Sequence, residues 1–275
     1  MYKLIACDVD GTLLDHRFTF SQADKNAISS ATQYGVIFSL CSGRAHKSLR
    51  VFAAELGLVQ QGNYIVSFNG AMIYDPFNNE VAMKEDLDKT LAIEMITFCK
   101  AFDKYIEIFI YTDGENCLIE ENSLYFERYR KASLVDWRAA TDLVSAAKES
   151  AAIAKMLFVG ENHILKELES ELQKAFGTNV GIFFSSDYLL EAVPKNCNKA
   201  SGLRWLCQQT GIDISQTIAI GDNHNDISMI QQAGLGIAVA NAVQAAKDAA
   251  DYVTVNDCSN GAVAEVINKF IVGRP

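Results

Sequence analysis

Five groups of polar residues could do chemistry in this sequence, and each follows an apolar run. Asp8 and Asp10 end the run in KLIACDVDGTLL (3–14), with Gly11 and Thr12 directly behind them. Ser42, Gly43 and Arg44 follow VIFSLC (36–41), and Asn69-Gly70 closes YIVSFNG (64–70). Asp222, Asn225 and Asp226 follow TIAIG (217–221), and Asn241 follows LGIAVA (235–240). Acids delivered to one place raise each other's pKa unless a cation neutralises them. The oxygen-rich set Asp8, Asp10 and Asp222 suits Mg2+, which takes a few carboxylates, keeps waters and bridges to phosphate. No His cluster or C-x-x-C pair competes for a softer metal. A hydroxyl (Ser42), an ammonium (Lys199) and glycine-flanked backbone amides form a phosphate-binding set. Positioning plus charge neutralisation is most of what phosphoryl transfer requires. An aspartate can itself attack phosphorus. A second acid two residues on can protonate the leaving oxygen and later activate water.

Such groups meet only if the apolar runs are parallel neighbours. Short apolar strands alternate with helices over the first 80 residues and again after Pro194, which predicts a parallel sheet covered on both faces. Ligands of such sheets bind at the carboxyl ends of the strands. Helices are expected over about 21–34, up to about Leu56, at about 199–210, near 226–233, over 242–250 and from about 261. From about residue 80 the pattern changes. MIYD and EVAM flank PFNN as a hairpin, IEIFIYT (106–112) and NCLIEE (116–121) flank Asp113-Gly114, and VGIFFSS (180–186) precedes LLEAV (189–193). Paired strands with a few helices predict an α+β domain with a mainly antiparallel sheet. The expected organisation is a Rossmann-like α/β core over 1–80 and 192–275, interrupted by an inserted α+β domain over 81–191.

The 275 residues are 49% hydrophobic and 21% charged, with a formal net charge of -10. That acidity makes the chain a poor candidate for general nucleic-acid or anionic-membrane binding, which needs basic surface. The seven cysteines are scattered and suggest neither a disulfide framework nor zinc. MYKLIACDVD is no signal peptide, and no apolar stretch approaches the ~18 residues of a membrane span. A reducing cytoplasm is the expected compartment.

On these residues the sequence resembles the haloacid dehalogenase (HAD) superfamily of phosphatases, over nearly the whole chain. DVDGTLL resembles the D-x-D-G-T-L motif, CSGR (41–44) the second motif, Lys199 the third-motif lysine, and GDNHNDISMI (221–230) the motif G-D-x-x-N-D-x-x-M. The α+β insertion between the second and third motifs resembles the type IIB cap of the Cof-like sugar-phosphatase group, which FNGA (68–71) and ANA (240–242) also match. The resemblance implies Asp8 as nucleophile and Asp10 as general acid/base. It implies Mg2+ held by Asp8, the Asp10 backbone carbonyl and Asp222, with Asp226 supporting from behind. It implies phosphoryl binding by Val9, Ser42, Gly43, Lys199 and Asn225, with Asn69 and Asn241 as further candidates to meet substrate. Two positions depart from the family pattern: Ala200 where glycine is usual, and Ala-Val-Ala before Asn241 where Ala-Met-Gly is common.

Each residue alone has a plainer reading: a strand-ending acid pair as a solvated turn, Ser42 as a helix cap, Lys199 as a surface lysine, Asn69 and Asn241 as turn residues. Their joint occurrence in order is what favours chemistry. The expected reaction is Mg2+-dependent hydrolysis of a small phosphorylated metabolite through an aspartyl phosphate, by a monomer or small homo-oligomer. A phosphomutase and a phospho-acceptor signalling module are the alternatives. Arg128, Arg130 and Lys131 are candidates for an anionic leaving group or a solvated helix face. Tyr111, Phe126 and Phe183 are candidates for ring stacking or for the core of the insertion.

Overall fold

The five strands that bring Asp8 and Asp222 together run in one direction. The structure, a computed structural model, describes residues 1–121, 123–130 and 133–273. The chain opens with β1 (Leu4–Cys7), α1 (Gln22–Gln33), β2 (Ile37–Leu40), α2 (His46–Glu55), β3 (Ile65–Ser67), β4 (Met72–Asp75) and β5 (Glu80–Lys84). Then come α3 (Lys89–Lys100), β6 (Glu107–Tyr111), β7 (Asn116–Glu120), α4 (Phe126–Arg130), β8 (Asp136–Ala140), α5 (Leu143–Glu149), β9 (Lys155–Val159), α6 (Asn162–Phe176), β10 (Val180–Ser186) and β11 (Leu189–Pro194). The chain closes with α7 (Lys199–Thr210), β12 (Thr217–Gly221), α8 (Ile227–Gln232), β13 (Leu235–Ala238), α9 (Gln244–Ala249), β14 (Tyr252–Val253) and α10 (Ala262–Ile267).

Two compact units result: Met1–Gly43, Leu49–Ala82 and Asn198–Pro275 form the first, Arg44–Ser48 and Met83–Cys197 the second. In the first, a parallel sheet is ordered β14-β13-β12-β1-β2. Every residue of β1 and β12 is buried, as expected of strands covered on both faces, which read as unbroken apolar runs. Ser21 caps α1 by accepting from the Asp24 N–H (3.0 Å). Asn198 caps α7 in a reciprocal capping box with Ser201, which starts the helix at Lys199.

The third strand is shorter than the expected 64–70. It spans Ile65–Ser67, joins the parallel sheet through a single Cys41–Val66 bridge, and pairs antiparallel with β4. Phe68 and Asn69 leave the strand with left-handed backbones (φ 50° and 53°). The Asn69 N–H there donates to the Ser42 carbonyl (3.0 Å), so the turn is anchored to the end of β2.

The second unit has its own six-stranded sheet, ordered β10-β11-β9-β6-β7-β8. Its pairs are antiparallel except β7–β8. The apolar residues of α3, α5 and α6, among them Met95, Ile96, Leu143, Leu165, Leu168 and Leu172, share one core with Ile108, Ile110, Met156 and Phe158 of the sheet. The sequence placed the insertion at 81–191, whereas the second unit runs over 83–197 and includes 44–48. β11 continues through Pro194, whose carbonyl accepts from the Cys197 N–H (3.0 Å), so the chain returns only at Asn198. Lys47 joins 44–48 to this unit, its N–H donating to the Gly114 carbonyl (3.2 Å) and its ammonium pairing with Asp136 (2.7 Å). The fold class is therefore α/β, a Rossmann-like parallel-sheet core with an inserted α+β domain. Among the described residues no helix is long and apolar enough to cross a membrane, and all seven cysteines are free.

Candidate active site

Parallel register places the residues that follow β1 and β12 side by side, because Cys7 is level with Ile220 across the pair. Asp8 and Asp222 come next, and the Asp8 N–H donates to the Ile220 carbonyl (2.8 Å). One ligand oxygen from each of Asp8, Asp222 and Asp226 can be chosen so that all lie within 4.8 Å of one another. Lys199, which has no exposed surface, sends its ammonium from the first turn of α7 to Oδ1 of both Asp8 and Asp226.

Backbone geometry fixes these carboxylates. Gly11 is left-handed (φ 82°), and a Cβ there would stand 2.6 Å from Asp222 Oδ2. Glycine thus serves twice, for the turn and for close approach to the carboxylate. The Thr12 hydroxyl donates to Asp222 Oδ1 (2.9 Å). Asp226 Oδ2 accepts from the N–H groups of Asp222 (3.0 Å) and Asn223 (2.9 Å). Gly221 permits this, since a Cβ at 221 would meet Asp226 Cβ at 2.4 Å.

Burial dominates the electrostatics. It pushes the Asp8 carboxyl well above its ordinary pKa; Lys199 opposes this, while Asp226, Asp222 and Asp10 reinforce it. Burial, then the Asp226 charge, raises Asp222 to about 7 against the pull of the Thr12 hydroxyl and Lys199. Burial pulls the Lys199 pKa down, but Asp226 and Asp8 outweigh it and hold the lysine charged. Burial raises Asp8 and Asp222, and with the neighbouring carboxylates it exceeds what the single Lys199 ammonium can offset.

The donor set is all oxygen and suits a hard cation such as Mg2+. Thr12 fixes Asp222 through Oδ1 and Lys199 fixes Asp8 through Oδ1, which orients both carboxylates at the ends of β1 and β12. Asp226 has both oxygens engaged by N–H donors, which suits support rather than ligation.

The other sequence candidates divide. Ser42 is buried at the end of β2, its N–H donating to the Val66 carbonyl (2.9 Å), with Gly43 half-buried beside it. Val9 is buried, and its carbonyl accepts from Leu13 (3.0 Å) and Leu14 (2.8 Å), which curls the chain sharply after Asp10. Asp10 is exposed at that curl. The Asn225 amide donates to Asn69 Oδ1 (3.1 Å). Asn241 donates to the Gly11 carbonyl (2.7 Å) and accepts from the Cys258 N–H (3.0 Å). Asn69 and Asn241 therefore reach other residues of the site, contacts their turn-like sequence context did not announce.

In the second unit, Arg130 pairs with Glu127 (2.8 Å), whereas Lys131 and the side chain of Arg128 lie outside the described residues. Phe126 packs edge-on against Trp137 (5.2 Å), and the Tyr111 hydroxyl meets that of Tyr129 (3.0 Å). Two features escaped the sequence reading. Thr12 stands within DVDGTLL, but nothing in the sequence points to Asp222 as its partner. The buried pair Lys155–Glu191 (2.9 Å) was signalled by a lysine inside the apolar run IAKMLFVG.

Residues 5–267 match the family described as haloacid dehalogenase-like hydrolase. Phosphatase YwpJ of Bacillus subtilis is 28% identical over 94% of this chain and 96% of its own length. The crystal structure of a haloacid dehalogenase-like hydrolase from Bacteroides thetaiotaomicron superposes with a TM-score of 0.87 at 31% identity, covering 98% of this chain and 100% of that one. The HAD subclass IIB sugar phosphatase BT4131 shares the fold, with a TM-score of 0.82 at 20% identity over 98% of each chain. With the family pattern spanning both halves of the parallel sheet and the insertion between them, the chain belongs to the haloacid dehalogenase-like hydrolases, as a phosphatase.

Proposed function

We propose that this phosphatase hydrolyses a small phosphorylated metabolite, a sugar phosphate or similar phosphomonoester, through an aspartyl phosphate on Asp8, with Mg2+ as cofactor. The observation that carries the reading is a charge imbalance in a mostly buried site. Three carboxylates, Asp8, Asp222 and Asp226, cluster where one ammonium, Lys199, pairs with Asp8 and Asp226, so full ionisation of the set would leave it short of positive charge. Asp8 and Asp222, with the backbone carbonyl of Asp10, would hold Mg2+, and Asp226 would fix Asp222 and Lys199. When bound, the cation neutralises these carboxylates and the phosphoryl oxygens that they would otherwise repel.

The residues then divide the work. Lys199 keeps Asp8 oriented and favours its anionic form. Ser42, Gly43, Asn225 and the backbone of Val9 bind the phosphoryl oxygens. An oxygen of Asp8 attacks phosphorus, the phosphorus–oxygen bond to the leaving group breaks, and Asp10 gives its proton to the departing oxygen. Asp10 then takes a proton from water as that water attacks phosphorus, which releases phosphate and restores Asp8. We assign selection of the leaving group to the inserted α+β domain. Seven free cysteines, six of them buried, fit a reducing compartment, and we place the chain in the cytoplasm.

The test is phosphate release from a panel of phosphorylated metabolites, with Mg2+ and with excess chelator, for the wild type and Asp8→Asn. Release should require the metal and vanish in the variant while the fold is kept. Wild-type turnover by Asp8→Asn would sink the mechanism.

A further inference from the structure

We propose that Asn241 is a positioning residue that sets the cation-binding carboxylate Asp222 by holding the Gly11 carbonyl; this rests on the reading of Asp8 and Asp222 as the ligands of Mg2+. Asn241 lies 230 residues from Gly11 in sequence, yet its Nδ2 donates to that carbonyl at 2.7 Å. Its Oδ1 accepts from the Cys258 N–H at 3.0 Å. One end must accept and the other must donate, so the amide is fixed in a single orientation. Residue 241 is exposed, and an exposed side chain held at both ends gives up rotamer freedom. That loss is explained if the position of Gly11 matters.

Gly11 matters because of what it touches. Its α-carbon faces the Asp222 carboxylate so closely that no side chain fits between, and the next residue, Thr12, donates to the same carboxylate. Any drift of the 11–12 peptide therefore moves Asp222. The turn that carries Asn241 is itself tied to the end of β12. Val239 N–H donates to the Gly221 carbonyl (3.1 Å), and Val243 N–H to the Asp222 carbonyl (2.9 Å). The 239–243 turn thus grips Asp222 by its backbone and Gly11 through Asn241, closing a clamp across the two strand ends that supply the carboxylates.

The test uses Asn241→Ala and Asn241→Leu, which remove the donor while respectively shrinking and roughly keeping the side-chain volume. Mg2+ binding to the whole chain is measured by calorimetry, and turnover of p-nitrophenyl phosphate is measured at saturating Mg2+. Groups that orient a metal ligand from behind typically alter affinity 10–100-fold, so a Mg2+ dissociation constant raised about tenfold is expected in both variants. The KM for p-nitrophenyl phosphate should stay at its wild-type value while kcat falls. Wild-type Mg2+ affinity in both variants overturns the proposal. So does a raised KM with unchanged Mg2+ binding, which would make Asn241 a substrate contact. Asp222→Asn tests the underlying reading separately: Mg2+ bound by that variant as tightly as by the wild type would remove the metal assignment itself.

Discussion

Lys199→Met asks how much buried charge the site holds. Methionine keeps the length and apolar stem of lysine but removes the ammonium that meets Asp8 and Asp226. Lys199 and Asp226 have no exposed surface and Asp8 is 5% exposed, so water cannot replace the lost partner cheaply. Removing one member of a buried ion pair costs about 3–5 kcal/mol, because the remaining charge is uncompensated. Set against a usual domain stability of about 5–15 kcal/mol, that is a large fraction. The carboxylates can escape by taking up protons, so the deficit should be larger at pH 8 than at pH 5. Urea denaturation followed by fluorescence measures it. Trp205 lies in the first unit and Trp137 in the second, so a Trp137→Phe background makes the signal report the unit that holds the site. Repeating Lys199→Met in an Asp226→Asn background should recover part of the loss, with a coupling of about 1–3 kcal/mol. A deficit under about 1 kcal/mol, independent of pH, would refute the reasoning, since it would place these charges in effective contact with solvent.

Two further outcomes follow from the carboxylate geometry. Gly11→Ala should cost about 1–2 kcal/mol for its left-handed backbone and, by displacing Asp222, should weaken the Mg2+ response; an unchanged half-saturating Mg2+ concentration would show that Gly11 does not pack on a metal ligand. In metal-free protein the folded form keeps a proton on Asp222 up to about pH 7, whereas the unfolded chain releases it near pH 4. Stability should therefore fall as pH rises through that window and level off above about 7, by at most on the order of 4 kcal/mol and less for the part of the carboxylate that reaches solvent. Mg2+ competes with that proton, so its rise in Tm should grow from pH 5 to about 7; equal Mg2+ stabilisation at pH 5 and pH 8 would contradict the raised pKa.

The parallel core was legible because fully buried strands have to be apolar. Leu4–Cys7, Thr217–Gly221 and Leu235–Ala238 each form an uninterrupted run that stops at a polar turn. What escaped was structure imposed by distant partners. Phe68 continues the apolar run as a strand residue would, yet it turns left-handed where the Asn69 N–H is held by the Ser42 carbonyl. β8 reads DWRAA, mostly exposed and without a clean alternation, and its strand character comes from parallel pairing with β7. Pro194 resembles a boundary, yet it ends an antiparallel ladder with Val180.

The same distinction separates the chemistry from its support. The candidates Asp8, Asp10, Ser42, Lys199 and Asp222 stand out in the sequence because charged and hydroxyl residues are uncommon at the ends of buried strands. Their support does not, because it is made of backbone and amides: the N–H groups of Asp222 and Asn223 on Asp226, the left-handed Gly11 against Asp222, and Asn225 on Asn69. With Asn241 on the Gly11 carbonyl, these contacts span up to 230 residues, and their donors are backbone and amide groups that carry no charge. They also lie wholly within the first unit, whereas the inserted domain has a separate apolar core. Substitutions that repack the insertion need not disturb the carboxylates. On the proposed assignment of leaving-group selection to the insertion, chemistry held in one unit can be combined with a changing selection in the other.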